Sequence, residues 1–303
     1  MFKHLLVPLD GSRLAEAALP AAAHLAEALK ATVTLIHVIE RHAPQAVHAD
    51  RHLADPASAR AYLTEVASRA FPPGVRVEQH VHTAEVRDVA QSIVEHAAEL
   101  EAPDLIVMCT HGHALRQWVS GSIAQQVIGL GQTPVLLVRP PPEGAAPAFA
   151  CRRILLPLDA VPLHESCIPV AQDLAAACGA PLHLLMVIPT LKTLPAERAA
   201  AGRLLPGAMR AALDLAQEEA ATYLRKNLEC LQAAGLTVTT DVRCGDPATV
   251  IAEAVDAVHA DMVVLATHGK AGTEAFWSGS VAAKVISHVT VPVLLVHAAE
   301  AEV

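Results

Sequence analysis

The sequence repeats itself, and this repetition constrains the fold more than any other feature of the 303-residue chain. Four short segments recur in the same order in the two halves. They are Leu5–Asp10 and Ile154–Asp159, Thr110–Gly112 and Thr267–Gly269, Gly121-Ser122 and Gly279-Ser280, and Pro134–Val138 and Pro292–Val296. Because the chain is long enough for two domains that each bury a core, we expect two copies of one domain. The copies are predicted at residues 1–140 and 151–303, with a Pro/Ala-rich linker at 141–150.

Each copy alternates short apolar runs with amphipathic stretches. Runs such as Asp104–Met108 and Asp261–Ala266 lack polar alternation, which is typical of strands buried on both faces of a parallel sheet. Helical periodicity occupies residues 13–30, 57–70, 86–100, 163–178, 207–234 and 247–259. This order predicts an α/β fold made of two tandem doubly wound domains, each with a five-stranded parallel sheet flanked by helices.

Ligands of doubly wound sheets bind at the carboxyl ends of the strands. In the second copy the first strand leads to Asp159 and the second ends near Val187, while the fourth opens a loop through Gly269 to a helix beginning at Gly279-Ser280. Glycine lets backbone N–H groups approach an anion, and a helix N-terminus adds the positive end of its dipole. The pattern therefore predicts a phosphate-binding loop. The alternative is that the glycines only turn the chain and the serines only cap helices.

This set of motifs resembles the universal stress protein family, in its tandem two-domain form, over nearly the whole chain. The resemblance implies an adenine nucleotide alpha hydrolase-like fold with strand order 3-2-1-4-5. ATP-binding members carry G-x2-G-x9-G-[S/T] after the fourth strand, an aspartate after the first and an apolar residue after the second. The second copy matches from Ala266 to Ser280 with alanine in place of the first glycine, whereas the first copy has Cys109 there and a loop one residue shorter.

What the resemblance implies is a cytoplasmic stress-response protein that binds ATP, or the related ADP or AMP, with Mg²⁺ and mainly in the second copy. It would signal through nucleotide-dependent conformation or association with a protein partner that the sequence does not identify. The residues expected around the nucleotide are Pro157, Leu158, Asp159, Val187, Ala266, His268, Gly269, Gly279, Ser280 and Val281. The weaker candidates of the first copy are Pro8, Asp10, Val38, His111, Gly112, Gly121 and Ser122.

Two other classes of function stay open. One is an enzyme, a slow ATPase or a metal-assisted phosphohydrolase that uses the histidines of the first half. His111 and His268 lie beside the loop and are candidate bases. Against it, the sequence has no G-x4-G-K-[S/T] motif, so binding without fast turnover is the preferred interpretation. The other is a scaffold that binds a metal or an apolar ligand such as a lipid instead of a nucleotide.

The first half is rich in histidine, with eleven of the 17 histidines in residues 1–113. His48 and His52 are spaced i, i+4, as on one face of a helix, and His80 and His82 are spaced i, i+2, as on one face of a strand. If the loop after the second strand lies beside the third strand, the four side chains converge on a site suited to zinc. The competing interpretation is that these histidines are ordinary surface or lightly buried residues.

Composition excludes some partners. With 22 basic and 31 acidic residues the net charge is −9, so binding to nucleic acid is not expected. No apolar run is long enough to span a membrane. In the family that this chain resembles, the fifth strand pairs domains, so we expect an intramolecular pseudo-dimer and consider a homodimer as an alternative.

Overall fold

The chain is described by a computed structural model that covers residues 2–41, 46–47, 50–51, 53–99, 103–110, 123–140, 148–194, 204–267 and 280–298. Contacts divide it into two compact units. The first unit contains the described residues up to Ala150 together with Pro292–His297, and the second contains Cys151–Thr267 and the described residues up to Val291. Most of the predicted linker, residues 141–147, lies outside the described residues.

The first repeat folds into strands separated by helices. Its strands are β1 (His4–Pro8), β2 (Thr32–Glu40), β3 (Ala46–Val47), β4 (Asp50–Arg51), β5 (Val77–Val86), β6 (Leu105–Cys109) and β7 (Val135–Val138). Its helices are α1 (Arg13–Glu16), α2 (Leu19–Leu29), α3 (Pro56–Ala70), α4 (Val89–Glu99) and α5 (Ile123–Leu130). In the described part of this repeat, β3 and β4 form a separate antiparallel pair after β2.

The second repeat shows the same alternation. Its strands are β8 (Ile154–Leu158), β9 (Leu182–Ile188), β10 (Val238–Cys244), β11 (Met262–Thr267) and β12 (Val293–His297). Its helices are a 3-10 turn (Pro162–Ser166), α6 (Cys167–Cys178), α7 (Pro206–Ala233), α8 (Pro247–Val258) and α9 (Val281–His288).

The strand order confirms the predicted α/β fold. In the first unit the order is β5-β2-β1-β6-β7, which is 3-2-1-4-5, and these five strands are parallel. In the second unit the order β10-β9-β8-β11 is 3-2-1-4, again parallel. The fifth strand of the second repeat, β12, groups with the first unit, where it pairs antiparallel with β7.

The predicted helix at residues 13–30 is two helices. α1 ends at Glu16, and α2 begins at Leu19 with Pro20 in its first turn. Proline has no N–H to donate to the carbonyl of Glu16, so the i to i−4 ladder breaks at this point. The sequence interpretation was wrong here because the apolar periodicity continues across the break. The periodicity reports the buried face and not the hydrogen bonds.

The cores of both units are aliphatic. β1, β6 and β11 are almost entirely buried, and large side chains such as Leu5, Ile106 and Ile154 have no or almost no solvent exposure. Burial on both faces explains why these strands read as continuous apolar runs. Among the described residues, no helix is both long and apolar enough to cross a lipid bilayer.

Candidate functional site

A cavity of about 120 Å³ lies at the carboxyl ends of β1, β2 and β6 in the first unit. Its wall is mainly aliphatic and sulfur-containing, with Asp10, His37 and Glu40 as its polar members. The complete lining is Pro8, Leu9, Asp10, Leu14, Ala15, Ile36, His37, Val38, Glu40, Val89, Ile93, Met108, Cys109 and Ile123. The sequence-based candidates Pro8, Asp10 and Val38 are therefore brought together, at the sheet edge where doubly wound folds bind ligands.

The loop after β1 and the start of α1 form part of the wall of this cavity. The Oδ1 atom of Asp10 accepts hydrogen bonds from the Ser12 backbone N–H at 2.9 Å and from the Ser12 hydroxyl at 2.6 Å. Ser12 in turn caps α1 by accepting from the N–H of Ala15. Gly11, between them, has φ of +89°, a conformation that glycine adopts without strain. Asp10 is therefore held in place by the start of α1.

His37 also lines the cavity, and sequence analysis did not single it out. Its Nδ1 is 2.7 Å from the carbonyl oxygen of Leu9, and its Nε2 is 2.9 Å from the carbonyl oxygen of Leu53. The side chain is buried in β2 and ties β1 to the segment before α3. Its place in the apolar run of β2 made it resemble a core residue. It is buried as a core residue is, but it also lines the cavity.

Cys109 replaces the first glycine of the loop motif in this repeat, and its thiol is unreactive at neutral pH. Burial, together with the smaller effect of the nearby carboxylate of Asp10, raises the pKa of its thiol to about 12. The thiol is thus protonated at neutral pH and forms part of the apolar wall instead of acting as a nucleophile. The rest of the loop, including His111, Gly112, Gly121 and Ser122, lies outside the described residues.

The second repeat places Asp159 directly after β8, as the sequence predicts. Its Oδ2 is 2.6 Å from Nδ1 of His164, and its Oδ1 accepts from the N–H of Val161 at 3.1 Å. His164 belongs to the 3-10 turn and has no counterpart in the motif, so sequence analysis missed it. Ala160 has φ of +59°. It occupies the position of Gly11 in the first repeat, so the second repeat has a positive φ at this position without a glycine.

Ser280 begins α9 as its N-cap. Its Oγ accepts from the N–H of Ala283 at 3.1 Å, and its backbone is extended. The serine is thus a helix cap, which agrees with the alternative that the serines only cap helices. It also marks a helix N-terminus that follows the loop in sequence, which the predicted phosphate-binding loop requires. Val281, the first helical residue, is 43% exposed.

The remaining candidates of the second repeat divide into two groups. Pro157 and Leu158 end β8, Val187 lies near the end of β9, and Ala266 lies near the end of β11; all four are described. β8 pairs with both β9 and β11, so their carboxyl ends share one edge of the sheet. His268, Gly269 and Gly279 lie outside the described residues.

The predicted histidine site is only partly described. His80 and His82 lie on β5 and are joined by His96 of α4; one ring nitrogen from each lies within 4.8 Å of the other two. Burial lowers the pKa of His80 and of His82, and the neighbouring imidazole of His96 lowers both further. His48 and His52 lie outside the described residues, and the residues beside them form the strand pair β3–β4.

Comparisons with known proteins agree with this architecture. The model of the universal stress protein family matches the chain twice, at residues 1–139 and 150–297. A universal stress protein of Methanocaldococcus jannaschii is 29% identical over 147 residues, which are 48% of this chain and 81% of that relative.

Two solved structures share the fold along almost the full length. A universal stress protein from Archaeoglobus fulgidus aligns with a TM-score of 0.67 at 16% identity, covering 99% of this chain and 97% of its own. A functionally unknown protein from Pseudomonas aeruginosa aligns with a TM-score of 0.64 at 18% identity, covering 98% of this chain and 93% of its own. Since the family model accounts for nearly all residues, this protein belongs to the universal stress protein family and carries the family's domain twice.

Proposed function

We propose that the protein binds an adenine nucleotide, ATP or the related ADP or AMP, together with Mg²⁺, mainly in its second repeat. The observation that carries this proposal is the arrangement around β8 and β11. These strands are parallel neighbours, Asp159 follows the first, and the loop after the second returns to a helix capped by Ser280. In doubly wound folds the helix after a strand begins near the carboxyl end of that strand, and a carboxylate and a helix N-terminus placed in this way suit the base or ribose and the phosphates of one nucleotide.

Local charge favours the second repeat over the first. Besides Asp10, the counterpart of Asp159, the cavity of the first repeat is lined by a second carboxylate, Glu40, which would repel a phosphate chain. In the second repeat the position of Glu40 is occupied by Pro189, and Asp159 has His164 as a close partner. The phosphates of a nucleotide would therefore meet less negative charge in the second repeat.

Calorimetric titration of the full chain with Mg-ATP tests the proposal. We expect a stoichiometry near one, lost in Gly279→Val because a branched side chain in the loop blocks close approach of the phosphates. The matched variant Gly121→Val changes the same motif position in the first repeat and should leave binding intact. Loss of binding in Gly121→Val alone would place the site in the first repeat, and absence of binding to the wild type would refute the nucleotide.

The response to stress that we propose is transmitted by binding and not by turnover. Nucleotide occupancy would change the conformation of the protein or its association with a protein partner. Comparing the hydrodynamic radius and the amide exchange of α9 with and without Mg-ATP tests this step. Unchanged values at saturating nucleotide would contradict it.

The cavity of the first repeat favours a second candidate, a small ligand with an apolar body and one hydrogen-bond donor. Val38, Ile93 and Met108 supply apolar walls, and Asp10 supplies an acceptor. Mass spectrometry of the small molecules released from denatured protein tests it, with Val38→Trp as the variant that fills the cavity. A small molecule that accompanies the wild type but not Val38→Trp supports this candidate, and equal recovery from both contradicts it.

A further inference from the structure

Three histidines of the first repeat converge on one point at the β5 edge of its sheet. His80 and His82 alternate along β5 and so project from the same face. Their partners in the register of β2 are Ile36 and Val38, which face the cavity and α4. α4 supplies His96 on that side, one turn after the cavity residue Ile93. The convergence is thus built from two regular elements and does not depend on a loop.

The separations fit a metal site, although His82 and His96 are joined by a hydrogen bond in its absence. Nδ1 of His82 lies 3.2 Å from Nε2 of His96, and no pair of the three candidate ligand nitrogens is further apart than 4.8 Å. Zinc–nitrogen bonds of about 2.0–2.1 Å in a tetrahedron place two ligand nitrogens about 3.3–3.4 Å apart. The His82–His96 pair already has this spacing, and rotation of the His80 side chain would bring in the third nitrogen.

The orientation of His96 is the one that a metal ligand needs. Its Nδ1 is 2.6 Å from the carbonyl oxygen of Ser92, one turn earlier in α4, and a carbonyl can only accept. The proton therefore sits on Nδ1, and the lone pair of Nε2 points towards His82. Metal-bound histidines are usually held in this way by a backbone carbonyl on the second ring nitrogen.

His80 adds a buried ring nitrogen that forms no hydrogen bond with the described residues. Its Nε2 is enclosed and has no hydrogen-bond partner among the described residues. An unsatisfied buried polar atom destabilises the folded state, and a metal–nitrogen bond would satisfy it. The ring centroid of His80 is 4.8 Å from that of His96, and the ring centroid of His82 is 4.7 Å from it, so the three imidazoles are already in contact.

We propose that His80, His82 and His96 bind a divalent cation of the zinc class, with water as the fourth ligand. Three imidazoles are a ligand set that zinc takes with an open fourth position. Two residues of the site, His80 and His82, were predicted from the sequence. His96 takes the place of the predicted ligands His48 and His52. The site is independent of the proposed nucleotide site, because all three histidines belong to the first unit.

The test is titration of the metal-free full chain with Zn²⁺ against a chromophoric chelator, and with Co²⁺ as a spectroscopic probe. We expect one tight equivalent and the visible absorption of tetrahedral Co²⁺. His82→Ala, at a half-exposed position, should weaken Zn²⁺ at least about 100-fold, since changing even an outer partner of a ligand costs 10–100-fold. His80→Ala and His96→Ala should do the same, with circular dichroism checking that each variant is folded.

Two controls make the result decisive. His288→Ala removes an exposed histidine of α9 and should leave the affinity unchanged. The double variant His48→Ala/His52→Ala should retain the site. The proposal would be overturned if the wild type bound Zn²⁺ no more tightly than His82→Ala does. It would also be overturned if the double variant lost Zn²⁺ binding while folded His96→Ala retained it.

Discussion

At the scale of single residues, the two repeats differ most clearly at one backbone position. Gly11 and Ala160 follow the equivalent aspartates, and both have positive φ, +89° and +59°. For an L-residue with a Cβ this region costs about 1–2 kcal/mol. The two loops therefore share a positive φ at this position, although only the first repeat has a glycine there. Substitutions at Gly11 and Ala160 can therefore lower or raise the stability of the protein.

We expect Ala160→Gly to stabilise the protein by about 0.5–1 kcal/mol, since relief of the strained backbone exceeds the added entropy of the unfolded chain. Gly11→Ala should destabilise it by about 1 kcal/mol for the opposite reason. Chemical denaturation measures both. A loss of stability in Ala160→Gly would mean that the alanine methyl makes packing contacts worth more than the strain.

A second prediction at this scale concerns pH. Burial lowers the pKa of His183, and the charges of Arg243 and Arg153 lower it further, against the opposing effect of Asp241. The unfolded chain then binds a proton that the folded state rejects, so stability is complete above the ordinary histidine pKa and falls as the pH drops below it. His183→Asn keeps a group able to bond the Thr239 hydroxyl, which lies 2.8 Å from His183 Nδ1.

Denaturation between about pH 7.5 and pH 5.5, which brackets the ordinary histidine pKa, checks this effect. The wild type should lose more unfolding free energy over that interval than His183→Asn. Equal losses would show that other buried histidines, such as His297, carry the pH dependence.

At the scale of elements, the same local chemistry starts two helices. Asp55-Pro56 begins α3 and Asp246-Pro247 begins α8, each with the aspartate as N-cap and the proline in the first turn. The Asp246 carboxylate accepts from the Thr249 N–H at 3.1 Å and from its hydroxyl at 3.0 Å. These helix starts follow from sequence because their hydrogen bonds are local. The break between α1 and α2 is equally local, but periodicity hides it.

Asp246→Ala should lower the unfolding free energy by about 1 kcal/mol, the usual cost of a lost N-cap, while Asp246→Asn should keep most of it. The hydrogen bonds from Thr249 lower the pKa of Asp246. The stabilisation from its charge is therefore present above the ordinary aspartate pKa and is lost as the pH falls through the lowered value. Denaturation at neutral and acid pH measures both; a pH-independent cost of Asp246→Ala would contradict the charge contribution.

At the scale of the whole molecule, the last strand of the chain does not group with the rest of its own repeat. β12 belongs to the second repeat, yet it groups with the first unit, where Leu294 is the register partner of Leu136 in β7. His297 of the same strand has its Nε2 3.2 Å from the carbonyl oxygen of Ile128. Both contacts lie within the first unit.

Leu295, in β12, is fully buried. We expect Leu295→Ala to cost about 2–5 kcal/mol and to speed hydrogen exchange of the β7 amides at Leu136 and Leu137. Exchange resolved by residue is the measurement, with Leu185→Ala in β9 as a buried leucine of the second unit. If β7 is as well protected in Leu295→Ala as in the wild type, β12 does not stabilise the first unit.

The sequence by itself determined the duplication, the α/β class, the order of strands and helices, and the positions of Asp10, Asp159 and Ser280. These depend on periodicity, local turns and caps, which involve residues close together along the chain. Only the tertiary structure decided that His96 joins His80 and His82, that His164 pairs with Asp159, and that β12 lies with the first unit. The physical reason is that each of these contacts depends on packed side-chain directions or on strand pairing between elements, which residue spacing does not encode.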